Sequence, residues 1–249
     1  VDKNIVWFGT ETGGLNKLTP RRLSLRNYVY DKDDLNSISR NPVNAIYEDK
    51  KGTLWVGTVE GGLNRKSKGE NRFHHYTAES SYRLSHNSVS AIAADNQNRL
   101  WVGTWGLGIN LLDINNTNRP VIQYINSDTH PNFPINFIGS LCYDTRNNLM
   151  WIGSNHGLYY YDLKSETFKS PFKDQAGEKI HGCIGAIIDK ENQLWIGCLE
   201  GLYIVDLNKH ENGFFKYKHI TYKFFQFRVI RCYILSNLSQ NRLTIYINR

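Results

Sequence analysis

Three features of this sequence could carry chemistry. His74 and His75 stand side by side, and histidine is the commonest metal ligand. Gly103-Thr104-Trp105-Gly106-Leu107-Gly108 has the glycine spacing of a phosphate-cradling loop. Asp49, Asp95, Asp144 and Asp189 recur at similar intervals, as general acid/base carboxylates could. Each has a simpler reading. Neighbouring residues on a strand face opposite sides, so His74 and His75 are not expected to share a metal. The glycine run lies between two strand-like stretches, with no helix N-terminus to hold a phosphate. Each aspartate ends a β-rich run just before a polar turn, where its carboxylate can accept hydrogen bonds from the turn backbone. His-Glu-x-x-His and Gly-x-Ser-x-Gly do not occur. No catalytic residue, metal site or cofactor is expected.

The aspartates belong to a larger repeat. WFGTETGGLN begins at Trp7, WVGTVEGGLN at Trp55, WVGTWGLGIN at Trp101, WIGSNHGLYY at Trp151 and WIGCLEGLYI at Trp195. The tryptophans are 48, 46, 50 and 44 residues apart, a period typical of β-propellers. Each unit reads as an alternating run ending in Asp, a polar turn, the Trp strand, a glycine-containing turn, a third strand and a closing aromatic run. The expected fold is all-β: a propeller of four-stranded antiparallel blades, with about five units in a partial or five-bladed ring. The units span roughly 1–30, 42–76, 87–125, 136–172 and 182–222, the first supplying three strands. One blade cannot bury both of its faces, so Trp7, Trp55, Trp101, Trp151 and Trp195 are expected as wedges between blades, each able to bury roughly 150–250 Å². The glycine two residues after each tryptophan marks a close backbone approach.

Asn87-Ser88-Val89-Ser90-Ala91-Ile92 and Leu100-Trp101-Val102-Gly103-Thr104 make the likeness specific. The pattern resembles the two-component regulator propeller repeat, over roughly residues 1–210. That resemblance implies the periplasmic sensor half of a hybrid two-component system of the kind found in Bacteroides-type gut bacteria. Such receptors typically join two seven-bladed propellers, a small β-sandwich, a membrane helix and a cytoplasmic histidine kinase. They sense oligosaccharides and switch on genes for using them. The resemblance thus implies an oligosaccharide ligand, further propeller and kinase domains in a parent chain, a homodimeric receptor and a periplasmic location on an inner-membrane protein. It implies no enzymatic activity for this stretch, which holds none of a kinase's own residues. The rival readings are a non-catalytic interaction scaffold and a propeller lyase or quinone-dependent enzyme.

Propeller ligands usually sit on one face, where the loops leading into each blade meet the turns between second and third strands. Those turns carry Glu11, Glu60, Trp105, His156 and Glu200, the positions at which the copies differ. Trp105 is the tryptophan outside the repeat, and an exposed indole would serve as a sugar-stacking platform. Solvated turn residues are the plainer reading of the same five positions.

Charge argues against nucleic acid. The net charge is +7, yet residues 1–211 hold 23 basic and 23 acidic side chains, and the excess comes from Lys216, Lys218, Lys223, Arg228, Arg231, Arg242 and Arg249. A neutral body with a basic tail lacks a distributed cationic face. Cys142, Cys183, Cys198 and Cys232 form no close pair along the chain and no metal-ligand spacing. Cys198 fills the slot of Thr10, Thr58, Thr104 and Ser154, and is expected as a small packing residue.

Residues 223–249 depart from the repeat. Gln240-Asn241-Arg242-Leu243 repeats Gln97-Asn98-Arg99-Leu100, but Thr244 stands where the next tryptophan should be. The tail reads either as a degenerate sixth repeat closing the ring or as an aberrant end. Phe224 to Leu238 is apolar enough for membrane contact, but its length and two arginines argue against a span. The start at Val1 and the single Met150 suggest a processed or excised piece. An open ring would be expected to self-associate through its edges.

Overall fold

The Asp-turn-Trp segments fold as antiparallel hairpins, and the residue that turns each one is legible. Three residues before each tryptophan stands Gly52, Asn98, Asn148 or Asn192, with φ of 78°, 59°, 58° and 61°. Glycine enters this left-handed region freely and asparagine at modest cost, which fixes the hairpin there. The carboxylate before the turn then ties it down. Asp49 Oδ1 accepts from the backbone N–H groups of Lys51 and Thr53, each at 2.9 Å. Asp95 does the same for Gln97 at 2.8 Å and Arg99 at 3.1 Å.

The computed structural model describes residues 6–10, 14–19, 24–81, 83–116, 121–131, 133, 135–172, 180–221, 232–237 and 242–247; Trp7 and the strands beyond residue 231 are placed by their backbone alone. Glu11 and Phe224 to Arg231 lie outside the described residues. No helix occurs among the described residues, and none is long and apolar enough to cross a membrane.

The chain forms two compact units, Val1–Pro131 and Asn132–Arg249. The first holds a three-stranded sheet of β1 (Val6–Thr10), β2 (Gly14–Thr19) and β3 (Ser24–Tyr28). It also holds two four-stranded sheets, each in sequential order. They are β4 (Val43–Glu48), β5 (Leu54–Thr58), β6 (Gly62–Lys66) and β7 (His74–Tyr76), then β8 (Val89–Ala94), β9 (Arg99–Thr104), β10 (Ile109–Asp113) and β11 (Val121–Ile125). The second unit has two more such sheets. They are β12 (Ile138–Asp144), β13 (Leu149–Ser154), β14 (Gly157–Asp162) and β15 (Thr167–Lys169), then β16 (Gly185–Ile188), β17 (Gln193–Cys198), β18 (Gly201–Glu211) and β19 (Phe214–Thr221). A hairpin of β20 (Cys232–Asn237) and β21 (Arg242–Ile247) follows. Those spans lie 143 residues beyond β8 and β9, and Cys232 pairs with Ile247 as Val89 pairs with Thr104. The two strands therefore occupy the positions of a repeat's first hairpin, although Thr244 stands where the tryptophan would and their ladder lacks the one-residue shift of β8 and β9.

Burial follows the sheets. β8 alternates buried and half-buried positions, whereas β5 and β13 are buried at every residue and so are covered on both faces. Within the first unit Trp55 packs with Tyr76 of its own sheet and with Val89, Leu100, Val102 and Leu112 of the next. Within the second, Trp151 packs with Tyr160 of its own sheet and with Leu194, Ile196, Val205 and Phe215 of the next. Trp55, Trp101 and Trp151 are fully buried, but Trp195 is only half-buried. The sheet that follows Trp195 has two described strands, against four after Trp55 and Trp151. The glycine two residues on explains how sheets approach so closely. A Cβ on Gly57 would lie 2.5 Å from Val89 Cγ1, and one on Gly153 2.7 Å from Cys183 Cβ.

One repeat breaks the pin between aspartate and tryptophan. Trp101 Nε1 donates to Asp95 Oδ2 at 2.8 Å and Trp195 Nε1 to Asp189 Oδ2 at 2.7 Å, while Trp55 reaches Asp49 Oδ2 at 3.4 Å. In all three the residues are six apart. Asp144 and Trp151 are seven apart. With the extra residue, Asn147 Nδ2 takes Asp144 Oδ2 at 2.7 Å, and the buried Trp151 Nε1 has no hydrogen-bond partner.

Candidate ligand-binding rim

The turns between second and third strands are shaped by the residue that ends the Trp strand. Thr58 Oγ1 donates to Gly62 O at 3.1 Å, Thr104 Oγ1 to Gly108 O at 2.8 Å and Ser154 Oγ to Gly157 O at 2.8 Å. These hydroxyls are committed to the backbone and are not free nucleophiles. The bond closes a turn of three residues in the first unit and of two in the second, which is why the latter spares one glycine.

In the first unit the turns gather on the segment leading into β8. Glu60 N donates to Ser88 Oγ at 3.2 Å, and Trp105 N to Ser88 O at 3.0 Å. Ser88 N in turn donates to His86 Nδ1 at 2.9 Å. Glu60 and Trp105, from successive turns, are thus tied to one residue. Glu60 is exposed, with φ of 57°. Trp105 is half-buried rather than exposed as the sequence suggested, and its backbone N–H is tied to Ser88 O.

In the second unit the corresponding segment is His181 to Cys183. Leu199 N donates to His181 O at 3.0 Å, Cys183 N to Ser154 O at 2.9 Å, and His181 N to Glu200 Oε2 at 3.1 Å. His181 Nδ1 lies 3.3 Å from Asn155 O. His156 is exposed, its N–H bound to Ser154 Oγ at 3.0 Å and its Nδ1 2.8 Å from Asn155 Oδ1. Behind the turn, His219 stacks on Tyr203 with centroids 4.1 Å apart and planes 11° apart, and its Nε2 lies 3.2 Å from Glu200 O. Burial, aided by the neighbouring Cys198 and Glu200, pushes the Tyr203 hydroxyl up to about 12, so it stays protonated.

The structure therefore brings Glu60 and Trp105 onto one segment of the first unit, and the turns bearing His156 and Glu200 onto one segment of the second. Sequence reasoning missed Ser88, His86 and His181 on those segments and His219 behind the second turn. The signal for Ser88 was present in the Asn-Ser-Val run before β8, but that run reads first as a strand start. Each rim offers a carboxylate and imidazole to a polar ligand, and the first adds an indole.

The adjacent histidines separate as expected for a strand: His75 Nε2 lies 2.8 Å from Ser37 O, whereas His74 lies 3.5 Å from Glu70. Among the described residues no three His, Cys, Asp or Glu side chains are placed to hold a metal ion. Two cysteines that are not close along the chain meet in the fold. Cys183 and Cys198, 15 residues apart in sequence, bring their sulfurs to 3.0 Å in the core. The contact with Cys183, together with burial, holds the Cys198 thiol far above its ordinary range.

The model of the two-component regulator propeller family matches two stretches of the chain, residues 37–60 and 83–106. No curated protein matches the sequence. Several solved structures share the fold. The extracellular domain of BT3049 from B. thetaiotaomicron, described as a hybrid two-component system, is 24% identical with a TM-score of 0.69, over 88% of this chain and 27% of its own. That of BT4673 from the same organism, also described as a hybrid two-component system, is 23% identical with a TM-score of 0.71, over 92% and 31%. The β-propeller domain of Cps50 (Swd1) from Myceliophteria thermophila is 9% identical with a TM-score of 0.57, over 84% and 64%. The chain spans less than a third of either bacterial domain. Residues 37–60 and 83–106 therefore match the two-component regulator propeller repeat, and the fold they lie in is that of a β-propeller.

Proposed function

We propose that this chain is part of the ligand-sensing region of a two-component receptor, a binding and signalling module without catalysis of its own. The observation that carries the reading is the pair of consecutive repeats matched by the regulator-propeller model, whose stretches end at Glu60 and one residue beyond Trp105. The likeness to extracellular domains of bacterial two-component systems supports a periplasmic position. In the proposed mechanism an oligosaccharide binds the rim turns of a single unit, with its hydroxyls on Glu60 and a sugar face on the Trp105 ring in the first, or its hydroxyls on His156 and Glu200 in the second. Binding shifts the packing of propeller domains in a homodimer, and the shift passes through an inner-membrane anchor to a histidine kinase in the parent chain.

A ligand that binds only the folded state raises the melting temperature by mass action. A thermal-shift screen against a panel of glycan fragments tests the reading. A sensor shows concentration-dependent stabilisation by at least one fragment, and a protein-interaction scaffold shows none.

A further inference from the structure

Four sheets present the same cross-strand pair at the end of the Trp strand, and in one of them both members are changed. Val43 faces Thr58, Val89 faces Thr104 and Ile138 faces Ser154. In the fourth sheet the two positions are Cys183 and Cys198. Ile184 N donates to Gly197 O at 3.1 Å and Gly185 pairs with Gly197, which sets the cysteines opposite each other just beyond the ladder. Their sulfurs are 3.0 Å apart, and the side chains are 0% and 8% exposed. Thiol hydrogen bonding alone is a weak reason for an aliphatic residue and a hydroxyl to become cysteine together. Facing cross-strand side chains have Cβ atoms about 4.5–5.5 Å apart, close to the roughly 3.5–4.5 Å that a disulfide spans.

The geometry points to a Cys183–Cys198 disulfide that staples the His181–Cys183 segment to the turn bearing Leu199 and Glu200. Each Sγ–H gives up its proton, an S–S bond forms, and the two electrons pass to a small-molecule or protein disulfide such as oxidised glutathione, which leaves as two thiols. The staple substitutes for the hydroxyl-to-carbonyl bond that closes the other three turns. Because the Cys198 thiolate is strongly disfavoured once its sulfur is buried beside Cys183, the bond forms during folding rather than as a rapid reversible switch in the folded protein. It fixes the Glu200 side of the second rim covalently, whatever that rim binds.

Refolding the full chain with oxidised and reduced glutathione, followed by blocking of free thiols and peptide mapping without reductant, tests the assignment. The expected product is a Cys183–Cys198 cross-linked peptide, lighter by two hydrogens than the pair of reduced peptides, with Cys142 and Cys232 both alkylated. The oxidised protein should melt several degrees above the same sample in dithiothreitol. The double variant Cys183→Val and Cys198→Thr, which restores the pair used by the other sheets, should fold and melt identically with and without reductant. Recovery of alkylated Cys183 and Cys198 from protein refolded in oxidised glutathione would overturn the proposal, as would a cross-link to Cys142 or Cys232 instead.

Discussion

The two units start from the same hairpin and finish its rim with different chemistry. In the first, the third strand carries a buried asparagine. Asn64 accepts from Ser39 N at 2.8 Å and donates to Val56 O at 3.2 Å. Asn110 accepts from Ser85 N at 2.8 Å and donates to Ser85 Oγ at 2.9 Å. Each ties the loop before its sheet to the interior. In the second unit the same strand position is Tyr159 or Tyr203, the turn is one residue shorter, and contacts are aromatic. Tyr159 meets the Phe133 ring edge-on at 6.2 Å and Tyr203 stacks with His219. The tryptophan and its glycine are common to both units because they build the stack. The rim carries less of that burden, so its chemistry is free to differ between copies.

The comparison can be broken at its shared element. Trp101→Ala empties a fully buried site and should cost about 3–5 kcal/mol, read as a lowered denaturation midpoint. Trp195→Ala should cost clearly less, because that ring is half-buried. Equal losses would show that the enclosing sheet does not set the value of the tryptophan. A smaller effect distinguishes the rims. Asn110→Ala strands the buried groups it now satisfies around Ser85 and Val102, and should cost about 1–3 kcal/mol. Tyr203→Phe keeps the ring stack and should change stability by less than about 0.5 kcal/mol in the same denaturation measurement. One change should be a gain. Deleting Thr145 returns Asp144 and Trp151 to a separation of six, and the restored indole bond should stabilise by about 1 kcal/mol, net of the Asn147 contacts given up.

Much of this was legible in the sequence, for reasons tied to particular residues. The alternating runs, the Trp strands and the turn at Gly52 or its asparagine equivalents follow from period and from left-handed propensity, which act locally. The aspartates were readable as turn acceptors for the same reason. What escaped was produced by the meeting of distant segments. Ser88 gathers Glu60 and Trp105 only because two sheets stack, and the Trp105 indole that looked exposed is half-buried. Cys183 and Cys198 become neighbours only because their strands pair. The missing Trp151 bond was written in a one-residue difference of spacing, but its consequence depends on where the indole points in the core.

The central claim is that these rim turns recognise a sugar ligand. The most direct measurement is a calorimetric titration of the best-stabilising oligosaccharide into wild-type protein and into Trp105→Ala, each first shown to be folded by its melting curve. The account predicts saturable binding to wild type and an affinity weakened about tenfold or more in the variant, the loss expected when about 1.4 kcal/mol of ring contact is removed. Equal affinity for the two proteins would contradict it.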